Sequence, residues 1–232
     1  MSDLTDLLTE YFKKFGDKPC CATDLKLYLP TLDCSEATKF LQETSKTACL
    51  DDNGIPIEES DVIRHVSWHC LNRLVGKHDD KDSVDKASQA SELVKLYQDC
   101  CQKFTEYSST VVRPFDGYMI LASHLYWDLW QASDDDKYLW SAVVPLHIAL
   151  KDSPASFQLR FLLIKFLNGV GAVGLSYQIH TGLELKHVQW DSLGYVLSRH
   201  IQTCSHFDTS LGLFHLILKF FNSNYKEVSK RL

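Results

Sequence analysis

The chain has 232 residues, of which 45% are hydrophobic and 23% are charged, and its formal net charge is −6. This composition is typical of a globular protein with enough apolar residues for a core, and it excludes a disordered or fibrous chain. The acidic balance and the lack of any run of five Lys or Arg residues argue against binding to a nucleic acid backbone or an anionic membrane by charge. We therefore expect a protein partner, with no membrane and no sequence-specific nucleic acid.

The N-terminal stretch MSDLTDLLTE is acidic and amphipathic, which is not the pattern of a signal peptide. The longest apolar stretches are shorter than the ~18 residues that a membrane-spanning helix needs. Eight cysteines in a chain without secretory features indicate reduced thiols in a cytosolic environment. These features together predict a cytoplasmic protein.

Apolar residues recur with the helical period in almost every segment, and almost no segment alternates with the period of a strand, so an all-α fold is predicted. The first helix is predicted from about Asp3 to Phe15, with Gly16 as its C-terminal cap. Capping residues indicate where further helices start. These predicted starts are Ser35, Ser60 and Asp82.

Two connections are predicted in the first half of the chain. Asp51–Glu59, with the sequence DDNGIPIEE, has turn residues and no helical period, and Val75–Lys81 (VGKHDDK) has the same character. A looser junction is predicted around residues 106–116. Beyond it, five hydrophobic segments are separated by helix-breaking residues, and each is long enough for four or more turns.

The second half of the chain carries a repeat. Alternate helices are predicted to start near Gly117, Ser156 and Asp191, at intervals close to the ~34 residues of a tetratricopeptide hairpin. The Trp-Leu-Gly-Tyr part of that consensus is absent. We predict that residues 1–232 form a single segment of antiparallel helix pairs, stacked as a tetratricopeptide-like α-solenoid with a right-handed superhelix, and that the segment belongs to a longer scaffold.

Two pairs of adjacent cysteines, Cys20–Cys21 and Cys100–Cys101, raise the question of a metal or redox site. Zinc sites use Cys-x2-4-Cys spacing, whereas adjacent residues on a helix point about 100° apart. Each pair lies on an apolar helical stripe, where Cys acts as a small hydrophobe. Both pairs are therefore predicted to be packing residues. Cys21 is expected to share its face with Leu25, Tyr28, Leu29 and Leu32, in a helix that Pro30 ends or bends.

Two further motifs partly match the sequence patterns of catalytic sites. His65 and His69 have the spacing of a zinc protease motif, but Val66 replaces the catalytic Glu and no third ligand is evident. The segment Arg73–His78 matches four places of an acetyl-CoA pyrophosphate turn, but it is predicted to lie at a helix C-terminus, where carbonyls face outward. The two histidines are predicted to be packing or surface residues.

Other sequence patterns of enzymes and metal proteins are missing. The chain has no Gly-x4-Gly-Lys-Ser/Thr or Gly-x-Gly-x-x-Gly motif and no Gly-x-Ser-x-Gly elbow. The run Asp134–Asp136 lacks the twelve-residue ligand spacing of an EF-hand and is predicted to be a solvated turn. We therefore predict no catalytic residue, no cofactor and no metal site.

Trp127 is the candidate for contact with a partner. In the helix predicted from Gly117 to Trp130, the core stripe consists of Tyr118, Ala122, Leu125 and Leu129, and Trp127 lies about 200° around the helix from Leu125. One interpretation is packing against the next repeat, because solenoid helices are buried on two sides. The other is an aromatic anchor at a protein interface.

The segment YFKKFGDKPCCATDLKLYL, at Tyr11–Leu29, resembles a characteristic stretch of a known family. That family is the auxiliary, non-catalytic subunit of the N-terminal acetyltransferase B complex, NatB. The resemblance covers nearly the whole chain, and family members are several times longer, so the chain resembles only a middle portion. Its further matching segments are Leu71–His78, Trp140–Pro154, His187–Arg199 and Leu218–Ser229.

The resemblance implies a helical-repeat scaffold that wraps a separate catalytic subunit. Together the two subunits would acetylate the initiator methionine of chains that begin Met-Asp, Met-Glu, Met-Asn or Met-Gln. The resemblance also suggests association with ribosomes and nascent chains, and it assigns no chemistry to this chain. The alternative is a freestanding helical-repeat adaptor for protein interactions that is unrelated to acetylation.

Overall fold

The structure, a computed structural model, describes residues 4–76, 82–185, 189 and 193–228. Within these ranges the chain is predominantly helical and has no β-strand, and Leu50 and Pro56 form an isolated bridge. The all-α prediction is confirmed. No helix in the described ranges is both long and apolar enough to cross a membrane.

The chain folds into two compact units, Met1–Ser156 and Phe157–Leu232. That residues 1–232 form one repeat segment stays a prediction. Residues 104–115, which include most of the predicted junction, connect two helices of the first unit without a helix of their own. The α-helices of the first unit are α1 (Leu4–Phe15), α2 (Cys21–Leu25), α3 (Cys34–Thr44), α4 (Glu59–Leu74), α5 (Ser83–Lys103), α6 (Asp116–Ser133) and α7 (Asp136–Asp152).

The helix starts predicted at Ser35, Ser60 and Asp82 agree with the structure to within one residue. Helix α3 begins at Cys34 because Asp33 accepts hydrogen bonds from two backbone N–H groups, and Glu36 closes the reciprocal half of a capping box. Glu58 and Asp61 form the same motif at the start of α4. Helix α5 begins directly after Asp82.

The region predicted as one helical face after Cys21 is shorter than expected. Helix α2 ends at Leu25, and Leu29–Thr31 forms a 3-10 turn instead of a continuation. Pro30 lacks an N–H donor and lies within this 3-10 turn, so it disfavours a continuous α-helix from Cys21. Cys21, Leu25 and Leu29 are buried as predicted, but Tyr28 is 52% exposed, so its placement on that face was wrong.

The first unit has two packing regions. In the N-terminal one, α1 packs on α3, and both α2 and α3 pack on α4. In the C-terminal one, α6 lies between α5 and α7 and also contacts α4. The N-terminal core is a cluster of eight buried residues, which are Leu8, Phe12, Cys21, Leu25, Leu29, Phe40, Leu41 and Leu71.

The second unit contains four further described helices. Helix α8 (Phe157–Gly169) packs on α9 (Val173–Thr181), and α9 in turn packs on α10 (Tyr195–Thr203), which packs on α11 (Phe207–Val228). The helix start predicted near Asp191 lies outside the described residues. The most deeply buried apolar side chains of this unit are Leu159, Leu163, Ile164, Phe166, Leu197 and Ile201.

Candidate partner-binding surface

Helix α6 is held against α4 at two points. The His65 Nδ1 and Tyr118 Oη atoms share a hydrogen bond of 2.8 Å. Ten residues further along α6, Asp128 accepts a hydrogen bond of 2.7 Å from Arg73. The ion pair is partly exposed and contributes little stability, about 0–1 kcal/mol. Two contacts along one helix nevertheless fix its rotation, and with it the direction in which the neighbouring Trp127 points.

The histidine pair of α4 is part of this packing. Burial lowers the pKa of His65 to about 4, so its ring is neutral at physiological pH. The rings of His65 and His69 lie 4.5 Å apart in an edge-to-face arrangement. Among the described residues, no group of three or more His, Cys, Asp and Glu side chains has the arrangement of a metal site. His65 packs between α4 and α6 through its hydrogen bond to Tyr118, and the absence of a metal site stays a prediction.

Trp127 lies on α6 away from the residues that form its core stripe. Its side chain is half-buried, and its ring lies 5.2 Å from that of Trp130 with the two planes at 74°. The Trp130 Nε1 atom is buried and has no hydrogen-bond acceptor among the described residues. That Trp127 contacts a partner stays a prediction. The predicted stripe is buried throughout, at Tyr118, Ala122, Leu125 and Leu129.

Helix α7 carries an exposed apolar stripe that the sequence analysis did not identify. Trp140, Val144 and Ile148 follow one another at intervals of four residues and are 52%, 53% and 54% exposed. They lie opposite the face that α7 buries, which includes Leu139 and Leu146. The sequence contains a signal for this exposed stripe, because apolar residues recur on two faces of α7 and a single packing face would need only one. Because only two residues connect α6 to α7, Trp127 and Trp140 belong to one antiparallel hairpin.

Asp116 ties the start of α6 to the end of α7. Its carboxylate accepts a 2.6 Å hydrogen bond from the Ser153 hydroxyl, and the side chain is 2% exposed. Burial raises the pKa of Asp116 to about 6, although hydrogen bonds from Ser153 and Ser156 act in the opposite direction. The other carboxylate oxygen, Oδ1, is buried without a hydrogen-bond partner in the described structure. This contact closes the hairpin at the end opposite its turn.

The segment that carried the family resemblance is a packing and capping unit. Arg64 of α4 donates hydrogen bonds to the Phe12 and Lys13 carbonyl oxygens, at 3.1 and 3.0 Å, and so satisfies the C-terminus of α1. Gly16 makes this possible, because a Cβ at that position would lie 2.9 Å from the Arg64 Nη1 atom. Tyr11 donates a 2.8 Å hydrogen bond to Asp24 of α2.

The two cysteines of this segment have different environments. Cys21 is fully buried, and burial raises the pKa of its thiol to about 12. Cys20 is exposed, which corrects the prediction that both residues pack in the core. A hydrogen bond to Asp24 raises the pKa of the Cys20 thiol. Cys100 is buried and Cys101 is half-buried, in agreement with a packing role for that pair.

The Arg73–His78 motif is not an anion site in the part that the structure describes. Helix α4 ends at Leu74, and the Gly76 N–H donates to the Arg73 carbonyl oxygen at 3.0 Å. Gly76 has φ +77°, the left-handed conformation that ends helices. The backbone N–H groups here point back into the helix end. Lys77 and His78 lie outside the described residues.

With this geometry in place, comparison with known proteins identifies the family. The family model described as "N-acetyltransferase B complex (NatB) non catalytic subunit" matches residues 1–232. The chain belongs to this family. The family resemblance inferred from the Tyr11–Leu29 segment is thereby confirmed, and the family is one of non-catalytic subunits.

Relatives of this NatB family member come from animals and a plant. The human N-alpha-acetyltransferase 25, NatB auxiliary subunit, is 31% identical over 99% of the chain. The phagocyte signaling-impaired protein of Drosophila pseudoobscura pseudoobscura is 26% identical over 98%, and the auxiliary subunit of Arabidopsis thaliana is 22% identical over 97%. The chain spans 24% of the length of the human relative and 21% of that of the plant relative.

Proposed function

We propose that this chain is a scaffold segment of a NatB auxiliary subunit and that it acts by binding the catalytic subunit. The observation that carries the proposal is the match of the non-catalytic subunit family over residues 1–232. The complex would acetylate the initiator methionine of chains that begin Met-Asp, Met-Glu, Met-Asn or Met-Gln. Family membership favours this role over a freestanding adaptor unrelated to acetylation.

The arrangement and rigidity of the helices support binding to a protein partner. Stacked helix pairs, if they continue as a tetratricopeptide-like solenoid, form an extended surface that suits a protein partner. Helix α6 is fixed by contacts to α4, α5 and α7, so side chains on its accessible face lose little further freedom when a partner binds. A scaffold raises the activity of a catalytic subunit when it binds the active conformation more tightly than the inactive one. No catalytic residue is needed for this effect.

Trp127 is the proposed contact with the catalytic subunit. It is half-buried beside Trp130, next to the residue that pairs with Arg73, and a preorganised aromatic ring is typical of an interface anchor. Replacement of an anchoring Trp by Ala weakens binding by about 2 kcal/mol or more, which corresponds to roughly 30-fold in Kd. We expect Trp127→Ala to have that effect with a small loss of thermal stability.

The test co-expresses the chain with a NatB catalytic subunit and measures co-elution on size exclusion and acetyl transfer to a Met-Asp peptide. The wild-type chain should co-elute and raise acetyl transfer above that of the catalytic subunit alone. The isolated chain should leave the peptide unmodified. Acetyl transfer by the isolated chain that persists in His65→Ala and His69→Ala variants would identify an enzyme and reject the scaffold role.

The exposed Trp140 provides a matched variant for the Trp127 proposal. If Trp140→Ala weakens binding and Trp127→Ala does not, the α7 stripe is the contact surface and the Trp127 assignment is wrong. A large fall in melting temperature for Trp127→Ala would assign that side chain to packing instead.

We also propose that the chain is cytoplasmic and that it associates with ribosomes and nascent chains. Reduced cysteines support the first statement, since the structure has eight free thiols and several of them are exposed. The second statement rests on the family role. Co-sedimentation of the tagged auxiliary subunit with translating ribosomes, compared before and after nascent-chain release, tests it.

A further inference from the structure

Helices α4 and α5 leave a cavity between them on the surface of the first unit. Both helices pack on α6 and make little direct contact with each other. The cavity has a volume of about 280 Å³, and α4 contributes His69 to its lining while α5 contributes the other lining residues. Sites for small molecules usually measure about 300–1,000 Å³. A cavity at the lower limit of this range suits one long side chain better than a cofactor.

The inner part of the cavity is apolar and is held in place by the core. Leu93 is 2% exposed, and Leu96 beside it on α5 is half-buried. On the α4 side, the ring of His69 lies 6.2 Å from that of Tyr118 on α6, in an edge-to-face arrangement. An occupant therefore meets a preformed apolar surface, which lowers the entropic cost of binding.

The rim of the cavity carries two carboxylates. Asp85 and Glu92 are both exposed, and their spacing of seven residues places them almost in line along α5, about 10 Å apart. We call them the rim carboxylates. Neither takes part in an ion pair within the part of the chain that the structure describes. The Ser88 hydroxyl lies 3.5 Å from Glu92 Oε1, at the outer limit of a hydrogen bond. Both carboxylates can therefore accept further hydrogen bonds.

The positive charges of the neighbouring helix positions lie outside the cavity. Lys86 and Lys95 of α5 lie about 110° and 70° around the helix from the line of the rim carboxylates. Arg73 of α4 is paired with Asp128 at 2.7 Å. Among the described residues, the lining contains two carboxylates and no Lys or Arg. The cavity is therefore complementary to a cation that brings its own apolar stem.

An arginine side chain has this combination of properties. Its aliphatic stem can lie along Leu93 and Leu96 while its charged end reaches the rim. The guanidinium is planar and presents N–H donors on more than one edge, so it can bind both rim carboxylates at once. A lysine ammonium is a compact point charge and matches two acceptors so far apart less well.

We propose that the cavity between α4 and α5 binds an arginine side chain of a protein partner. The proposal goes beyond binding of the catalytic subunit, because it does not depend on which protein supplies the arginine. It also concerns a different surface from Trp127, which lies on α6. Failure of one assignment therefore leaves the other in place.

The test titrates the 232-residue chain with N-acetyl-arginine methylamide and follows the methyl signals of Leu93 and Leu96 by NMR. Both signals should shift, with a Kd on the order of 1 mM for so small a probe. The citrulline analogue has a similar shape without the charge and should bind at least tenfold more weakly. The lysine analogue should also bind more weakly, and added salt should raise the Kd of the arginine probe.

Substitution of the rim carboxylates isolates their role. The double variant Asp85→Asn, Glu92→Gln should weaken binding of the arginine probe at least tenfold, because it removes both acceptor charges. Glu10→Gln, at an exposed position of α1 outside the cavity, is the control and should stay within twofold of wild type. Circular dichroism checks that the variants fold.

Three results would overturn the proposal. The first is that the arginine probe shifts neither methyl signal. The second is that the citrulline or lysine analogue binds as tightly as the arginine probe. The third is that the double variant and Glu10→Gln change the Kd equally, because the attraction then comes from the overall charge of the chain.

Discussion

The contact between Gly117 of α6 and Val66 of α4 leads to a quantitative prediction. A Cβ added at Gly117 would overlap the Val66 Cγ1 atom and would lie 3.2 Å from Cγ2. Overpacking of this kind costs about 1–3 kcal/mol, while replacing Gly by Ala in a helix gains at most about 1 kcal/mol. We therefore expect Gly117→Ala to lower the free energy of unfolding by about 1–2 kcal/mol.

A second substitution isolates the cause. In a Val66→Ala background, the nearest atom to the added methyl group is the Cβ atom of residue 66, at 3.4 Å, which is an ordinary contact. Gly117→Ala should then be neutral or stabilising, so the coupling energy between the two positions is about 2 kcal/mol. Urea unfolding of the four proteins, followed by far-UV circular dichroism, measures this cycle.

Gly212 of α11 is the matched control, because a Cβ added there meets nothing within 4 Å. Gly212→Ala should raise the free energy of unfolding by up to about 1 kcal/mol. The packing argument is refuted if Gly117→Ala is as stable as Gly212→Ala, or if the effects at Gly117 and Val66 are additive.

Three further predictions concern ionisable groups. Because the pKa of Asp116 is raised to about 6, the unfolded chain loses the Asp116 carboxyl proton more readily than the folded chain, and stability falls as pH rises from about 4 to 6. The effect is at most about 3 kcal/mol of the free energy of unfolding. Asp116→Asn should remove this pH dependence, which urea titrations at several pH values measure. The pKa of His65 is lowered to about 4, so its contribution to the pH dependence of stability has the opposite sign, and stability is lost as pH falls from about 6.5 to 4. An NMR titration of His65 should give a midpoint well below that of a solvent-exposed histidine. A midpoint equal to that of an exposed histidine would show that the ring is not buried. Under native conditions a thiol reagent should modify Cys20 and not Cys21, and rapid labelling of Cys21 without unfolding would contradict its burial.

Local features of the fold could be predicted from sequence because they depend on neighbouring residues. The start of α3 follows from Asp33 and Glu36, which act across a single turn, and the DDNGIPIEE connection contains Gly54 with φ +78° as turn chemistry requires. The end of α2 was misjudged because the apolar periodicity continues beyond Leu25, where the α-helix ends ahead of the 3-10 turn that contains Pro30.

The candidate site was less predictable because it depends on contacts between distant segments. The half-burial of Trp127 depends on neighbouring helices, and the periodicity of α6 alone left its role open. Cys20 lies directly before α2, so its exposure depends on how α2 packs on α4. The stripe of α7 is visible in the sequence as apolar positions, but only the structure shows that it remains uncovered.

The contact from Arg64 to the end of α1 has a consequence for synthesis on the ribosome. Arg64 lies 52 positions after Phe12, so at 5–20 residues per second it is added roughly 3 to 10 s later. Until α4 has emerged, the last carbonyls of α1 lack this donor and the apolar residues of the first helices lack the surface that α4 provides. The segments that form α1 to α3 therefore remain open to chaperones during that interval, and α4 is the element that ends it.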